Sequence, residues 1–188
     1  MDLLPVAFSG ATTNLHAVRV ERKVDLSRRR AALQLKAGVG LTATQFRTAA
    51  SKQAVGHVGL DSSARLIADA LGMARDWPVV SLEPSLNDSG RVVGFVQTTG
   101  YPPRDGQPEV SLRLEMSMQL DQPETDRILI DATPSITAVI EGGIFGDTAT
   151  AALVVNAIPQ VLATQGGLLT VLDVPPARAW KQWAQSDG

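Results

Sequence analysis

Between Val110 and Leu120 apolar and polar residues alternate without interruption. Val110, Leu112, Leu114, Met116, Met118 and Leu120 fall on one side, and Ser111, Arg113, Glu115, Ser117 and Gln119 on the other. A period of two is that of a strand with one buried face. The methionines read as core, or as a sheet face covered by a second copy. Leu15 to Val24 repeats the pattern, with Val18 and Val20 set against Arg19 and Glu21. Val79–Glu83, Gly90–Thr99, Arg127–Asp131 and Ser135–Ile140 read as further strands. Asn87-Asp88-Ser89-Gly90 is a turn, and the proline-rich Tyr101–Pro108 is a loop.

Helical spacing appears in three places in the first half. Met1–Ala11 is an apolar segment in which Pro5 is tolerated near the helix start. An apolar helix there reads as the inside of a longer protein. Leu41–Ala50 starts at Thr42. Leu60, Ala64, Ile67, Ala68 and Leu71 form a stripe, capped by Asp61 or Ser62 and closed by Gly72. Gln34–Gly40 (QLKAGVG) reads as a loop and Gly56–Leu60 (GHVGL) as a turn.

The stretch from Glu141 to Leu172 is different. Gly142, Gly143 and Gly146 form a loop, Asp147 is positioned as an N-cap, and the following helix is apolar on nearly every side. Such a helix is expected in the middle of a domain, under a sheet. Pro159 should kink it and Gly166-Gly167 should stop it. Leu168–Val174 reads as a last strand or extended arm. Pro175-Pro176 is a break, and Ala177–Gln185 is an amphipathic tail helix. Its Trp180 and Trp183 are placed for a partner contact or for packing back onto the domain.

Strands in the middle with helices towards both ends predict an α+β fold, a mixed or mostly antiparallel sheet with helices packed on one face. The expected organisation is one domain over 1–175 and a tail over 176–188. A doubly wound dinucleotide fold needs regular strand–helix alternation, which the pattern lacks.

Composition narrows the function classes. The chain has 188 residues, a net charge of −2, no cysteine and two histidines. Neither a nucleic-acid partner nor a membrane-surface partner is indicated. No metal is expected, since the ligands for a structural zinc site are missing. No apolar run is long enough to cross a bilayer, and a cytoplasmic location is expected. The strand, glycines and helix start around Ser135–Thr148 could hold an anion, or could be a tightly packed turn; no lysine follows the glycines as in a P-loop. Arg28-Arg29-Arg30 reads as an anion clamp or, better, as a solvated strand end.

Several segments taken together carry a resemblance. They are MDLLP at Met1–Pro5, QLKAGVG, GHVGL, GDTATAA at Gly146–Ala152, VNAIP at Val155–Pro159, GLLT at Gly167–Thr170 and DVP at Asp173–Pro175. In this order and spacing they resemble the carboxy-terminal domain of the dihydrodipicolinate-reductase-like amine dehydrogenases, the 2,4-diaminopentanoate dehydrogenase family. The resemblance implies a dihydrodipicolinate-reductase C-terminal-like fold that closes a small-molecule substrate pocket and forms a homodimer through its sheet. In that family NAD(P) is held by an amino-terminal Rossmann domain, and a catalytic glutamate lies upstream of the position of Met1. Neither is in this chain, so no cofactor is expected here unless a separate NAD(P)-binding chain supplies it, and hydride transfer alone is not expected.

The resemblance implies that His57 and Thr148 face substrate, with Gln34 and Lys36 nearby. His57 and Glu141 are the catalytic candidates, since either could move a proton at that pocket. The competing readings are a hydrogen-bonded turn histidine for His57 and a solvated strand-end acid for Glu141. The alternative function is a stand-alone non-redox enzyme, an isomerase, cyclase or dehydratase that kept the pocket and acts on a small or polyketide-like substrate. A third is a dimeric scaffold with no chemistry.

Overall fold

The computed structural model describes residues 1–73 and 76–179. The chain divides into two units, Met1–Gly143 and Ile144–Gly188. The tail helix expected over Ala177–Gln185, with Trp180 and Trp183, lies mostly outside the described residues.

The first unit runs α1 (Leu3–Ser9), β1 (Thr13–Asp25), a 3-10 turn (Leu26–Arg28), α2 (Ala31–Lys36), α3 (Ala43–Ser51) and α4 (Leu60–Ala70). β2 (Val79–Leu86), β3 (Val92–Tyr101), β4 (Glu109–Ser117), β5 (Thr125–Thr133) and β6 (Ile136–Glu141) follow. The six strands form one sheet in the order β2-β3-β4-β1-β5-β6. β1 is parallel to β4 and antiparallel to β5, and the remaining neighbours are antiparallel. The expected α+β class and mostly antiparallel sheet are both present.

Alternation decides the two faces. Val18, Val20 and Val24 of β1 are registered with Val110, Leu112 and Met116 of β4, and all six are buried. Ile128 and Ile130 of β5 and Phe95 of β3 extend the same face. α4 packs on β3 and β4, α1 on β1 and β5, and α3 on β2. Ala64, Ile67 and Ala68 of α4 and Phe46 of α3 are fully covered. Met116 is therefore core beneath helices. The opposite face carries Arg19, Glu21 and Lys23 of β1 with Arg113 and Glu115 of β4, and Arg19 pairs with Glu109 there.

Several local expectations need correction. β4 stops at Ser117, short of Leu120, because the Ser117 hydroxyl accepts from the Gln119 amide at 3.0 Å and turns the chain. Gln34 and Lys36 are not in a loop but on α2; the turn begins at Ala37, with Gly38 and Gly40 at φ 76° and 87°. The N-cap of α4 is Gly59 at φ 93°, not Asp61 or Ser62; Asp61 lies inside the first turn, where its charge suits the helix dipole. Arg29 is not a solvated strand end. Its guanidinium pairs with Glu124 at 2.5 Å with the side chain 8 % exposed, and Glu124 also accepts from the Asp25 amide at 2.8 Å.

In the second unit α5 spans Gly146–Ala163 and passes through Pro159. Its N-cap is Phe145, so Asp147 sits in the first turn and is not the cap. None of its residues is buried, contrary to the expectation of a helix under a sheet; Leu153, Val154, Val155 and Leu162 are all more than half exposed. Apolarity on all sides records a need for cover without naming what supplies it. Leu168–Val174 is not a strand. The Asp173 carboxylate accepts from the Thr170 amide at 2.7 Å and from its hydroxyl at 2.8 Å, which folds the segment into a turn.

Gly94 of β3 lies so close to β4 that a Cβ would stand 2.0 Å from the Met116 carbonyl oxygen. Gly94→Ala is expected to cost about 3 kcal/mol, since backbone and not a pliable side chain must move. Gly10 ends α1 at φ −63° with its nearest neighbour at 3.5 Å. Gly10→Ala should stay within about 0.5 kcal/mol. Urea unfolding of both variants checks the contrast.

Candidate functional site

One row across the helix-covered face of the sheet carries an amide and two charged side chains among apolar ones. It runs Leu82, Gln97, Leu114, Arg22, Asp126, Ile140 from β2 to β6. The row on one side reads Val80, Thr99, Leu112, Val20, Ile128, Ala138, and that on the other includes Pro84, Phe95, Met116 and Val24. Arg22 Nε lies 3.4 Å from Asp126 Oδ1, with the side chains 20 % and 10 % exposed. Charges in such a position cost desolvation energy that only their mutual attraction and further hydrogen bonds offset.

Gln97 is 7 % exposed. Its Oε1 accepts from the His57 amide at 2.8 Å and its Nε2 donates to the His57 carbonyl at 3.0 Å. The turn that carries His57 is thereby tied to the sheet. The Gly56 amide donates to the Lys36 carbonyl at 3.2 Å, which joins the turn to the end of α2. Gly56 has φ 97°, and a Cβ there would come within 2.8 Å of Leu82 and 3.3 Å of Gln97 Oε1. Both the backbone conformation and the close approach require glycine.

The His57 imidazole reaches the surface. Partial desolvation, then the positive charges of Lys36, Arg22 and the Met1 amine, hold its pKa below the usual histidine value. The shift favours the neutral ring, a state that can accept a proton or a hydrogen bond.

The sequence candidates divide. His57 and Lys36 come together beside the polar row. Gln34 spends its amide locally, donating to the Leu26 and Arg29 carbonyls at 2.9 and 3.0 Å and bracing the 3-10 turn. Glu141 is exposed at the end of β6, opposite Thr125, which in turn pairs with Lys23. That register puts Glu141 on the polar face, the other side of the sheet from the His57 turn. Thr148 is exposed in the first turn of α5, in the second unit. Arg22, Gln97 and Asp126 were not among the sequence candidates. The available signal was Arg22 at an inward position between Val20 and Val24.

The residues do not fit a nicotinamide dinucleotide. That group needs a strand, a glycine-rich turn and a helix start in one unit. Here the two parallel strands are β1, which ends in Asp25 and a 3-10 turn without glycine, and β4, which is followed by another strand and not by a helix. Among the described residues no group of three or more His, Asp or Glu side chains could hold a metal ion. No described helix is long and apolar enough to cross a membrane.

The 2,4-diaminopentanoate dehydrogenase C-terminal domain family matches residues 1–187. A 2,4-diaminopentanoate dehydrogenase from Acetoanaerobium sticklandii is 29 % identical over 197 residues, covering 95 % of this chain and 55 % of the relative. The structure of an amine dehydrogenase from Mycobacterium smegmatis superposes with a TM-score of 0.78 at 18 % identity, over 94 % of this chain and 56 % of that one. The chain spans about half the length of these relatives.

The depressed His57 pKa has a pH consequence. The unfolded chain binds this proton more readily than the folded one, so stability falls as pH drops through about 6.5 and the loss becomes constant below the folded value. Above about pH 6.5 His57 contributes nothing, because both states are neutral. An NMR titration should place the His57 midpoint below about 6.5. Lys36→Met should move it up, and His57→Gln should remove this part of the acid loss.

Proposed function

The chain belongs to the 2,4-diaminopentanoate dehydrogenase C-terminal domain family, and we propose that it is the substrate-facing, dimer-forming half of an NAD(P)-dependent amine dehydrogenase. The observation that carries this reading is the polar row of Gln97, Arg22 and Asp126 under His57, in a chain that matches one half of such enzymes. The nicotinamide is held by the other half, on the same or a separate chain. His57 orients the substrate or relays a proton. Partial burial, then the charges of Lys36 and Arg22, favour the neutral imidazole, and Lys36 favours a ligand with an anionic end, as a diaminopentanoate has. Glu141 lies away from it, on the other face of the sheet.

A homodimer is the proposed assembly, a second copy covering the open face of the sheet. The exposed apolar residues of α5, Leu153, Val154 and Leu162 among them, are surface for the cofactor-binding half. The process is a cytoplasmic biosynthetic or amine-converting one. The runner-up, a cofactor-independent isomerase, cyclase or dehydratase, would use His57 as its acid–base group.

Two measurements separate these readings. The purified chain should show no hydride transfer between an amine and NADP. Turnover should appear when the amino-terminal portion of the Acetoanaerobium sticklandii relative is supplied, and His57→Ala should then lower kcat/KM by about 100-fold. Turnover of an amine with NADP by the chain alone would refute the half-enzyme reading. Sedimentation at micromolar concentration should give a dimer, and a monomer would remove the dimer from the proposal.

A further inference from the structure

We infer that Gln97 is a positioning residue for His57, an inference that rests on the reading of His57 as a substrate-facing group. A carboxamide offers one donor and one acceptor side by side. Gln97 uses them on the two main-chain groups of a single residue, the His57 amide at 2.8 Å and the His57 carbonyl at 3.0 Å. The side chain therefore acts as a short strand would, fixing both height and direction of the turn above the sheet. Apolar contact at the same position would fill the space but would leave both His57 groups without a partner.

The rest of the turn is built to let this clamp close. Gly56 clears Gln97 and Leu82, and its amide is held by the Lys36 carbonyl at 3.2 Å. On the other side Gly59 starts α4 at φ 93°, and its carbonyl accepts from the Ser63 amide at 3.0 Å. Val55 before the turn and Leu60 after it are buried. His57 and Val58 alone project outward between these anchors. Gln97 and Arg22 lie in the same cross-sheet row with β4 between them, a separation of about 10 Å. The clamp thus sets where the imidazole stands relative to the Arg22–Asp126 pair. The charged groups that bear on it are Lys36 from α2, Arg22 from β1 and the Met1 amine, with Asp126 of β5 attached to Arg22.

The test is NMR on the full chain, comparing wild type with Gln97→Met, which keeps side-chain length and removes both hydrogen bonds. In Gln97→Met the His57 titration midpoint should rise towards about 6.5, and exchange of the His57 amide should speed up about tenfold or more. Protection of the β1 and β4 amides should be unchanged. A folded Gln97→Met with the wild-type His57 midpoint and exchange rate would overturn the inference, leaving Gln97 as packing. Should that variant fail to fold, the wild type decides. The Gln97 side-chain amide protons must be slow to exchange and show cross-peaks to His57, and fast exchange without cross-peaks overturns the clamp.

Failure of the underlying reading looks different. There, added 2,4-diaminopentanoate would perturb the spectra of the wild type and of His57→Gln equally, whatever Gln97 does. A clamp that acts through His57 predicts weaker binding in Gln97→Met, restored in part by Gln97→Asn if the shorter carboxamide still reaches one of the two groups.

Discussion

Strand β1 is hydrogen-bonded along both edges, to β4 in parallel and to β5 in antiparallel register. β4 and β5 take their register directly from this strand, and the others take theirs through these two. Because side chains alternate strictly, a shift of one residue in β1 would turn Val18, Val20 and Val24 to the polar side and bring Arg19, Glu21 and Lys23 under the helices. The burial of charge that this implies is what holds the register. The parallel pairing with β4 also demands a long crossover. That crossover contains α2, α3, α4 and the β2–β3 hairpin, so it carries α3 and α4, which cover the core together with α1, and the turn that carries His57.

Against this background the row of Gln97, Arg22 and Asp126 is costly. A uniformly apolar face would pack without ion pairs or buried amides, and replacing a buried pair by apolar residues is often neutral or stabilising. Gln97 recovers its cost by bonding the His57 main chain, and Arg22 by pairing with Asp126. The result is a place on an otherwise apolar sheet where a charged pair and a carboxamide lie beneath the turn that carries His57. Two glycines, Gly56 and Gly59, give the turn the backbone angles it needs to lie there.

The second unit follows a different logic. α5 has small and branched apolar residues around its whole circumference and no buried side chain. Its two polar residues beyond the first turns, Asn156 and Gln160, are half-buried, so they do not mark an outer face. A helix of this type is stable in a protein only when neighbours cover it. The relatives are nearly twice as long as this chain.

Hydrophobic alternation by itself determined the strands, their inward faces and the α+β class, because a period of two leaves one way to bury Val110, Leu112, Leu114 and Met116. It also located His57 in a glycine-bounded turn. Tertiary structure decided what that turn meets. Gln97 and His57 are forty residues apart, and nothing local in either segment tells of the other. It decided that Arg29 meets Glu124, that Glu141 points away from His57, and that Gly59 rather than Asp61 caps α4. The helix that carries Gln34 and Lys36 is not legible in the sequence, because six residues have too little periodicity. The burial expected for α5 failed for the complementary reason: composition states how much apolar surface must be covered, and only the arrangement of chains in space states by what.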